Sequence, residues 1–533
     1  LPLIDGTADG SADGEGQVAF RNREQIKLIP YSSEPQQPTR ARVDKDNPAT
    51  TKELADRVER LVADGDEGLL RDADHVRAGA QLRGLADPAV DLLQVVVRRV
   101  RLDVPRARRA ADGAVSNAEF QKLVATFAAG LAPRVKPGDK VVFRMTNSVE
   151  FAAAFLACIW LGAIPVLQNS QLGRSELEHI VGLSDPVLFL LAEHMRDDAA
   201  TNGLKPDVER MIVTRNGFAV ASATTSLPAA FDTSRDTPAF IVFTSGTTGK
   251  PKGVVHAHRW LEALGDSNRA RVPPQRGDVI LATGEWSFIS ALGHNVMFPL
   301  RNGTTGSVME DRAAPERILQ TIERDRVTLL HSVATLFRRI LGTPGIEHRY
   351  DLSSLRGANS TGEPLEDAVR KEWQARFGCP IWEHYGISEA QMVIGDGPTI
   401  PKKEGSTGRT WGARALVVDE ELKPLPANDP GTLAFGADYP GFFLGYLGDE
   451  KQTNATLRGG LFVTSDLARI DADGYVFVLG RSDDVINVAG HRLSTGSIEA
   501  VVASHPAVAE CAVIGIHDEL KGQRPSGYVV LKS

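Results

Sequence analysis

The residues best suited to chemistry gather first in "FTSGTTGKPKGVVH", Phe243 to His256. Thr244, Ser245, Thr247 and Thr248 bring hydroxyl donors, and Lys250 and Lys252 bring positive charge. Gly246 and Gly249 let backbone N–H groups turn toward an anion. Such a loop suits phosphate. A Walker-type P-loop needs four residues between its first Gly and the Gly-Lys pair, then Ser or Thr. Here Gly246 and Gly249 are only three apart, and Pro251 follows Lys250. A helix does not readily continue from a Lys-Pro junction, so spacing excludes the P-loop. A plain flexible loop would have no use for two lysines and a rigid proline.

A phosphate loop must hang on a rigid edge. "AFIVF", Ala239 to Phe243, is a continuous apolar run and predicts a strand leading into it. From about Val115 onward, "NAEFQKLVATFAAGL", "SVEFAAAFLACIWLG" and "RSELEHIVGLS" read as helices, and "GDKVVFRM", "AIPVLQ" and "PVLFLLA" as the strands between them. The alternation resumes through "PERILQTIERDRV", "TLLHSV" and "ATLFRRIL". It argues for parallel sheets covered by helices. After about Thr410 strands dominate: "ARALVVD", "GTLAFGA", "LFVTSDLARID" and "YVFVLG". The last unit reads helix, strand, strand. The expected fold class is α/β: a large N-terminal domain of parallel and mixed sheets covered by helices over 113–481, with a β-rich subdomain at about 405–481, then a small α+β C-terminal domain over 482–533.

Residues 1–112 form an atypical N-terminal region. There "RRVRLDVPRARRA" packs six arginines into thirteen residues, Arg98 to Ala110. Its functional reading is a basic patch for an anionic partner; its plainer reading is a solvated helix face or an irregular arm. Over all 533 residues the net charge is −8, which gives no support for nucleic-acid binding. Cys158, Cys379 and Cys511 are too far apart for a disulfide framework or zinc spacing, which fits a reducing cytoplasm. The longest apolar run, Phe151 to Leu167, falls short of the ~20 residues a bilayer needs. Gly162 and Pro165 break it, so it predicts a buried helix feeding a buried strand, with no membrane span.

Four further stretches follow the loop in order: "STGEPL" (Ser360 to Leu365), "YGISEA" (Tyr385 to Ala390), "TSDLARIDADGYVFVLGRSDDVINVAGHRL" (Thr464 to Leu493) and "HPAVAECAVIGIHDELKGQRP" (His505 to Pro525). Together with "TSGTTGKPKG" this series resembles the adenylate-forming superfamily, which holds acyl-CoA synthetases, firefly luciferase and peptide-synthetase adenylation domains. The resemblance covers about residues 113–533. It implies an AMP-forming acid–CoA ligase: a carboxylate attacks the α-phosphate of ATP, giving an acyl-adenylate and pyrophosphate, and coenzyme A then displaces AMP. Mg²⁺ would be required. No general base is obligatory, because a carboxylate is already ionised near about pH 7.

Carried onto this chain, the resemblance implies that Thr244, Ser245, Gly246, Thr247, Thr248, Gly249, Lys250 and Lys252 hold the β- and γ-phosphates. Gly362, Glu363 and Pro364 would line the adenine, with Glu383 nearby among the nucleotide-binding residues. Ser388, where the family usually has Thr, keeps a hydroxyl for the α-phosphate, and Glu389 would bind Mg²⁺. Asp466 would accept both ribose hydroxyls, and Arg481 would reach ribose or phosphate. Asp483 matches the hinge on which the C-terminal domain turns between half-reactions. Gly490 and Arg492 would face the thioester-forming site. Thr244, Lys252, Ser388, Glu389 and Arg481 are the expected catalytic set. His384 and His491 are expected to pack or orient.

For the acid pocket the candidates are Trp286, Phe288, His294, Tyr385 and Gly386. Enzymes for acetate close this pocket with a Trp at the position of Gly386, so glycine there predicts a larger acyl group, aromatic or medium-chain. The family's near-terminal lysine finds no match, since Lys532 lies too early. The chain as given is therefore expected to have a truncated C-terminal domain and to adenylate poorly while keeping nucleotide affinity. The alternatives are an adenylating enzyme with a carrier-protein acceptor, or a catalytically weak nucleotide-binding relative.

Overall fold

Ser116 shows how literally the local code is followed. Its hydroxyl accepts from the Glu119 N–H while the Glu119 carboxylate takes the Ser116 N–H at 2.7 Å, a capping box that starts the helix Asn117–Leu131. The helix buries Phe120, Leu123, Val124 and Phe127 at helical spacing. Against it packs Val149–Trp160, a helix buried on every side. At about 1.5 Å per residue its 12 residues are far too short for a bilayer. Among the described residues no helix is long and apolar enough to cross a membrane.

The structure is a computed structural model describing residues 17–22, 25–30, 107–109, 113–219, 227–245, 250–310, 312–481, 485–488, 491–495, 498–499, 502, 508–518 and 522–531. Two units are distinguished, Leu1–Val90 and Asp91–Ser533. In the first, strands Gln17–Asn22 and Gln25–Pro30 form an antiparallel hairpin. The arginine-rich stretch lies mostly outside the described residues; its Ala107–Arg109 is a short strand in the larger unit.

That larger unit carries four sheets. In the first, Pro238–Ser245, Ile164–Leu167, Lys140–Arg144, Leu188–Ala192 and Glu209–Thr214 run parallel. Pro251–Ala257 then returns antiparallel along Pro238–Ser245, with Ser245 opposite Pro251. In the second sheet Thr305–Ser307, Val279–Ala282, Leu329–Ser332, Gly357–Thr361 and Ile381–Ile387 run parallel, and Gln391–Gly395 turns back antiparallel. Successive side chains alternate between its faces. Val279, Leu281, Leu330, Ala358 and Ile381 meet helices Pro315–Asp325, Ala334–Leu341 and Asp367–Phe377 on one face. Ile280 and Leu329 pack with Val272 and Phe298 on the other. A third, antiparallel sheet joins Ala415–Val418, Gly431–Gly436, Leu461–Ile470 and Val476–Arg481. A fourth holds Val485–Val488, His491–Ser494, Val508–Asp518 and Gly522–Leu531.

The α/β expectation is thus met. Ligands in open α/β sheets bind outside the carboxyl ends of parallel strands. Here those ends present Thr244, Gly362 and Ser388.

Candidate active site

Three sheets deliver the candidate residues. The hairpin of the first places Thr244 directly opposite Lys252. The turn after Ile381–Ile387 carries Ser388 and Glu389. The third sheet pairs Asp466 with Arg481 across two strands. The first and second sheets are joined at this point. His256, on the returning hairpin strand, sets its Nε2 2.9 Å from the Ser388 carbonyl. Its ring stacks on Phe240 and leans on Trp260. Burial pushes the His256 imidazole down to about 3, so it is neutral and donates through Nε2–H.

Glu389 is held from a third direction. Gly445–Tyr446 is a two-residue strand added to the hairpin edge, with Tyr446 opposite Val254. The Tyr446 phenol donates to Glu389 Oε1 at 2.6 Å, and the Phe443 N–H donates to the Glu389 carbonyl at 2.7 Å. The Lys252 ammonium lies 5.6 Å from the Tyr446 ring centroid, within cation–π range. One phenol therefore touches both the loop lysine and the acidic residue. Desolvation pushes the Glu389 carboxyl above its ordinary range, against the pull of Tyr446 and Lys252. Tyr446 escaped the sequence reading because its role depends on a contact 57 residues away; the only local signal was an aromatic after a glycine.

Tyr385 donates its phenol to Asp466 Oδ2, and burial beside that carboxylate raises the phenol well above its usual value. Arg481 is exposed and reaches Ser465 Oγ at 3.1 Å. Glu363 turns to the start of Ala334–Leu341, accepting from the Thr335 N–H and hydroxyl and from Arg338 at 3.3 Å. That anchors the carboxylate at a helix N-terminus, where negative charge is favoured. Gly362 is left exposed at φ +86°, with nothing closer to a Cβ than Val333 at 4.0 Å. This open backbone edge can lie flat against a planar base. Glu383 joins an ion network instead, 2.9 Å from Lys402 and 3.5 Å from Arg370. Lys250 is exposed beside the loop. Gly246, Thr247, Thr248, Gly249, Asp483 and Gly490 lie outside the described residues. Ser245 and Arg492 are placed as strand residues only.

The pocket candidates are not brought to one place. Trp286 is buried; its indole N–H meets Asn295 at 3.2 Å, and it lines an apolar cavity of ≈ 40 Å³ with Phe120, Val149 and Val296. Phe288 is 53% exposed. His294 borders a second cavity, of ≈ 10 Å³. Gly386 has no space for a Cβ. A Cβ there would sit 2.5 Å from the Gln391 carbonyl oxygen and 2.8 Å from Met392 Sδ, at a bulge in the Ile381–Ile387/Gln391–Gly395 pair. Gly386→Ala is expected to lower the melting temperature by several degrees, because overpacking against backbone costs about 1–3 kcal/mol. An unchanged melting curve would show that the bulge yields.

Comparison with known proteins fits this geometry. The family model "AMP-binding enzyme" matches residues 99–447, and that of the "AMP-binding enzyme C-terminal domain" matches 497–533. An uncharacterized acyl–CoA ligase of Bacillus subtilis is 30% identical over 75% of this chain and 76% of its own length. An acetyl-coenzyme A synthetase of Pyrobaculum arsenaticum is 37% identical over 55% of this chain and 46% of its own. The crystal structure of an anthranilate CoA ligase in complex with anthranoyl-AMP superposes with a TM-score of 0.74 at 25% identity, covering 83% of this chain and 86% of that one.

Proposed function

The chain belongs to the AMP-binding enzyme family, and from that premise we propose that it activates an aromatic or medium-chain carboxylic acid with ATP and passes the acyl group to coenzyme A. The observation that carries this reading is the meeting of Lys252, Glu389 and Tyr446 at the joint of two sheets, with Asp466 and Arg481 paired on a third. The loop Thr244 to Lys252 would hold the leaving pyrophosphate, and the Ser388 hydroxyl the α-phosphate. The acid's carboxylate oxygen forms a bond to the α-phosphorus as the bond to pyrophosphate breaks. The thiolate of coenzyme A then bonds to the acyl carbon and AMP leaves. Asp466 would accept from the ribose, and Gly362 to Pro364 would support the adenine. Residues 482–533 would form the small domain that turns at Asp483 between the two steps, with Gly490 and Arg492 facing the thiol.

Glu389 fits a hard divalent cation. It is a half-buried carboxylate held above its ordinary range by desolvation, and among the described residues no Lys or Arg forms an ion pair with it. Mg²⁺ bound there would neutralise phosphate charge as it develops. An aromatic or medium-chain acid is supported by the likeness to the anthranilate ligase.

A panel of acetate, hexanoate, octanoate and benzoate with ATP, Mg²⁺ and coenzyme A tests the reading. AMP and thioester should form together, with benzoate or octanoate ahead of acetate. Formation of ADP and phosphate would refute adenylation, and a preference for acetate would refute the substrate assignment.

A further inference from the structure

The second sheet buries an unusual row of polar side chains on the face covered by the helices after Val279–Ala282. His331 and Asn359 are register partners on adjacent parallel strands. His384 lies on the next strand and His294 on the covering helical segment. All four are at most 5% exposed. They line a cavity of ≈ 10 Å³ together with Ile280 and Phe298. His294 satisfies Nδ1 on the Ser290 carbonyl at 2.8 Å, and His384 sets Nε2 3.1 Å from the Asp396 carbonyl. The remaining atoms do not fare so well. Both nitrogens of His331, Nδ1 of His384 and Oδ1 of Asn359 have no hydrogen-bond partner. Interiors rarely leave such groups unmet, and each calls for an explanation.

A metal ion does not explain them. The rings of His294 and His331 stack at 3.7 Å with their planes 9° apart. Imidazole lone pairs lie in the ring plane, so two nearly parallel planes cannot converge on one ion at about 2.0–2.1 Å. Burial holds all three imidazoles well below their ordinary range, so they are neutral, each with one donor and one acceptor nitrogen. Asn359 Oδ1 adds another acceptor. The complement is one small neutral group that both donates and accepts. The volume suits one such group of about the size of a water molecule and is too small for a carboxylate.

The cavity is also near the candidate site. Asn359 sits two positions before the strand end Thr361 and His384 three before the strand end Ile387, about 7–10 Å of extended chain from the ends that present Gly362 and Ser388. We propose that this cavity is the inner end of the acid pocket and receives a hydroxyl or amino substituent of the substrate, making the preferred acid a hydroxy- or amino-substituted one. The assignment rests on the acid-activating function above. It names what that function recognises at the end remote from the carboxylate.

The test compares matched acids in ATP–pyrophosphate exchange: the isomeric hydroxy- and aminobenzoates against benzoate, and 6-hydroxyhexanoate against hexanoate. At least one substituted acid should exceed its parent in kcat/KM by about tenfold or more, because a site built to hydrogen-bond rejects the analogue lacking the group. His331→Leu should collapse that ratio to within about twofold by removing the partner. Equal use of parent and substituted acids by the unaltered protein refutes the proposal without any variant. So does an unchanged ratio in His331→Leu, which would mark the cavity as the seat of a buried water, and so does a preference for dicarboxylic acids. Calorimetric titration of the same acids in the presence of AMP separates the two readings. If no acid supports exchange, the ligase function fails, yet tighter binding of the substituted acid that His331→Leu abolishes would still uphold the cavity assignment, and its absence would refute it.

Discussion

Glu389→Gln is expected to lower acid-dependent ATP–pyrophosphate exchange by about 10²–10³-fold, the scale of removing one preorganised electrostatic partner from a transition state. The amide keeps the shape and can still accept from Tyr446, so the loss would isolate the charge. The apparent affinity for Mg²⁺ should weaken in the same variant, read by titrating the metal at fixed ATP. Tyr446→Phe separates holding from ligation. It removes the 2.6 Å bond to Oε1 while leaving the carboxylate. A hydrogen bond to a charged group is worth about 1.5–3 kcal/mol, so a fall of roughly 10–100-fold is expected, partly recovered at high Mg²⁺. Exchange that survives Glu389→Gln intact would remove Glu389 from the metal site. The pH dependence has a definite sign. Because desolvation raises the folded-state value of Glu389, its contribution to stability is fully present in acid, below the unfolded value. That contribution is lost as pH rises through the raised folded value. In the metal-free protein Glu389→Gln should therefore flatten the fall in melting temperature over that window. Metal affinity should run the other way, weakening as pH drops.

Asp466→Ala is the second large effect. ATP should bind about 10–100-fold more weakly, since a carboxylate accepting two hydroxyls contributes two charge-assisted bonds. The loss should fall on the KM for ATP more than on kcat, the pattern of binding shared by ground and transition states. Tyr385 complicates the reading, because its phenol already occupies Oδ2. Tyr385→Phe is the control. It removes the phenol and leaves the carboxylate, so it should change the KM for ATP by much less than Asp466→Ala. If Tyr385→Phe costs as much as Asp466→Ala, the phenol rather than the carboxylate is the nucleotide contact.

Local patterns exposed most of the framework. "NAEFQKLVATFAAGL" became the helix Asn117–Leu131 because its capping box and apolar spacing are complete within fifteen residues. "AFIVF" became the core of Pro238–Ser245 for the same reason. The stretch from Gly284 to Leu300 was harder. It breaks into a short α-helix, the π-helical turn Gly293–Met297 and a further helix from Phe298. Such a register change depends on what the side chains meet: Leu264 closes on Gly293, and the Asn295 carbonyl on Gly306. The site shows the same division. Ordered motifs identified Lys252, Glu389 and Asp466 as candidates. Tyr446 and the histidine row depend on contacts across dozens of residues, and no spacing within a motif records them. Gly386 shows another limit: a Cβ there would meet the Gln391 backbone, a contact that no local spacing records.

The bond between Tyr446 and Glu389 also forms only late in the synthesis of the chain. The carboxylate is made 57 residues before the phenol that holds it. At about 5–20 residues per second, that is an interval of roughly 3–11 s. Asp466 and Arg481 emerge later still. Throughout that interval the growing chain has Lys252 and carries Glu389 without the phenol that holds it and without the Asp466–Arg481 pair.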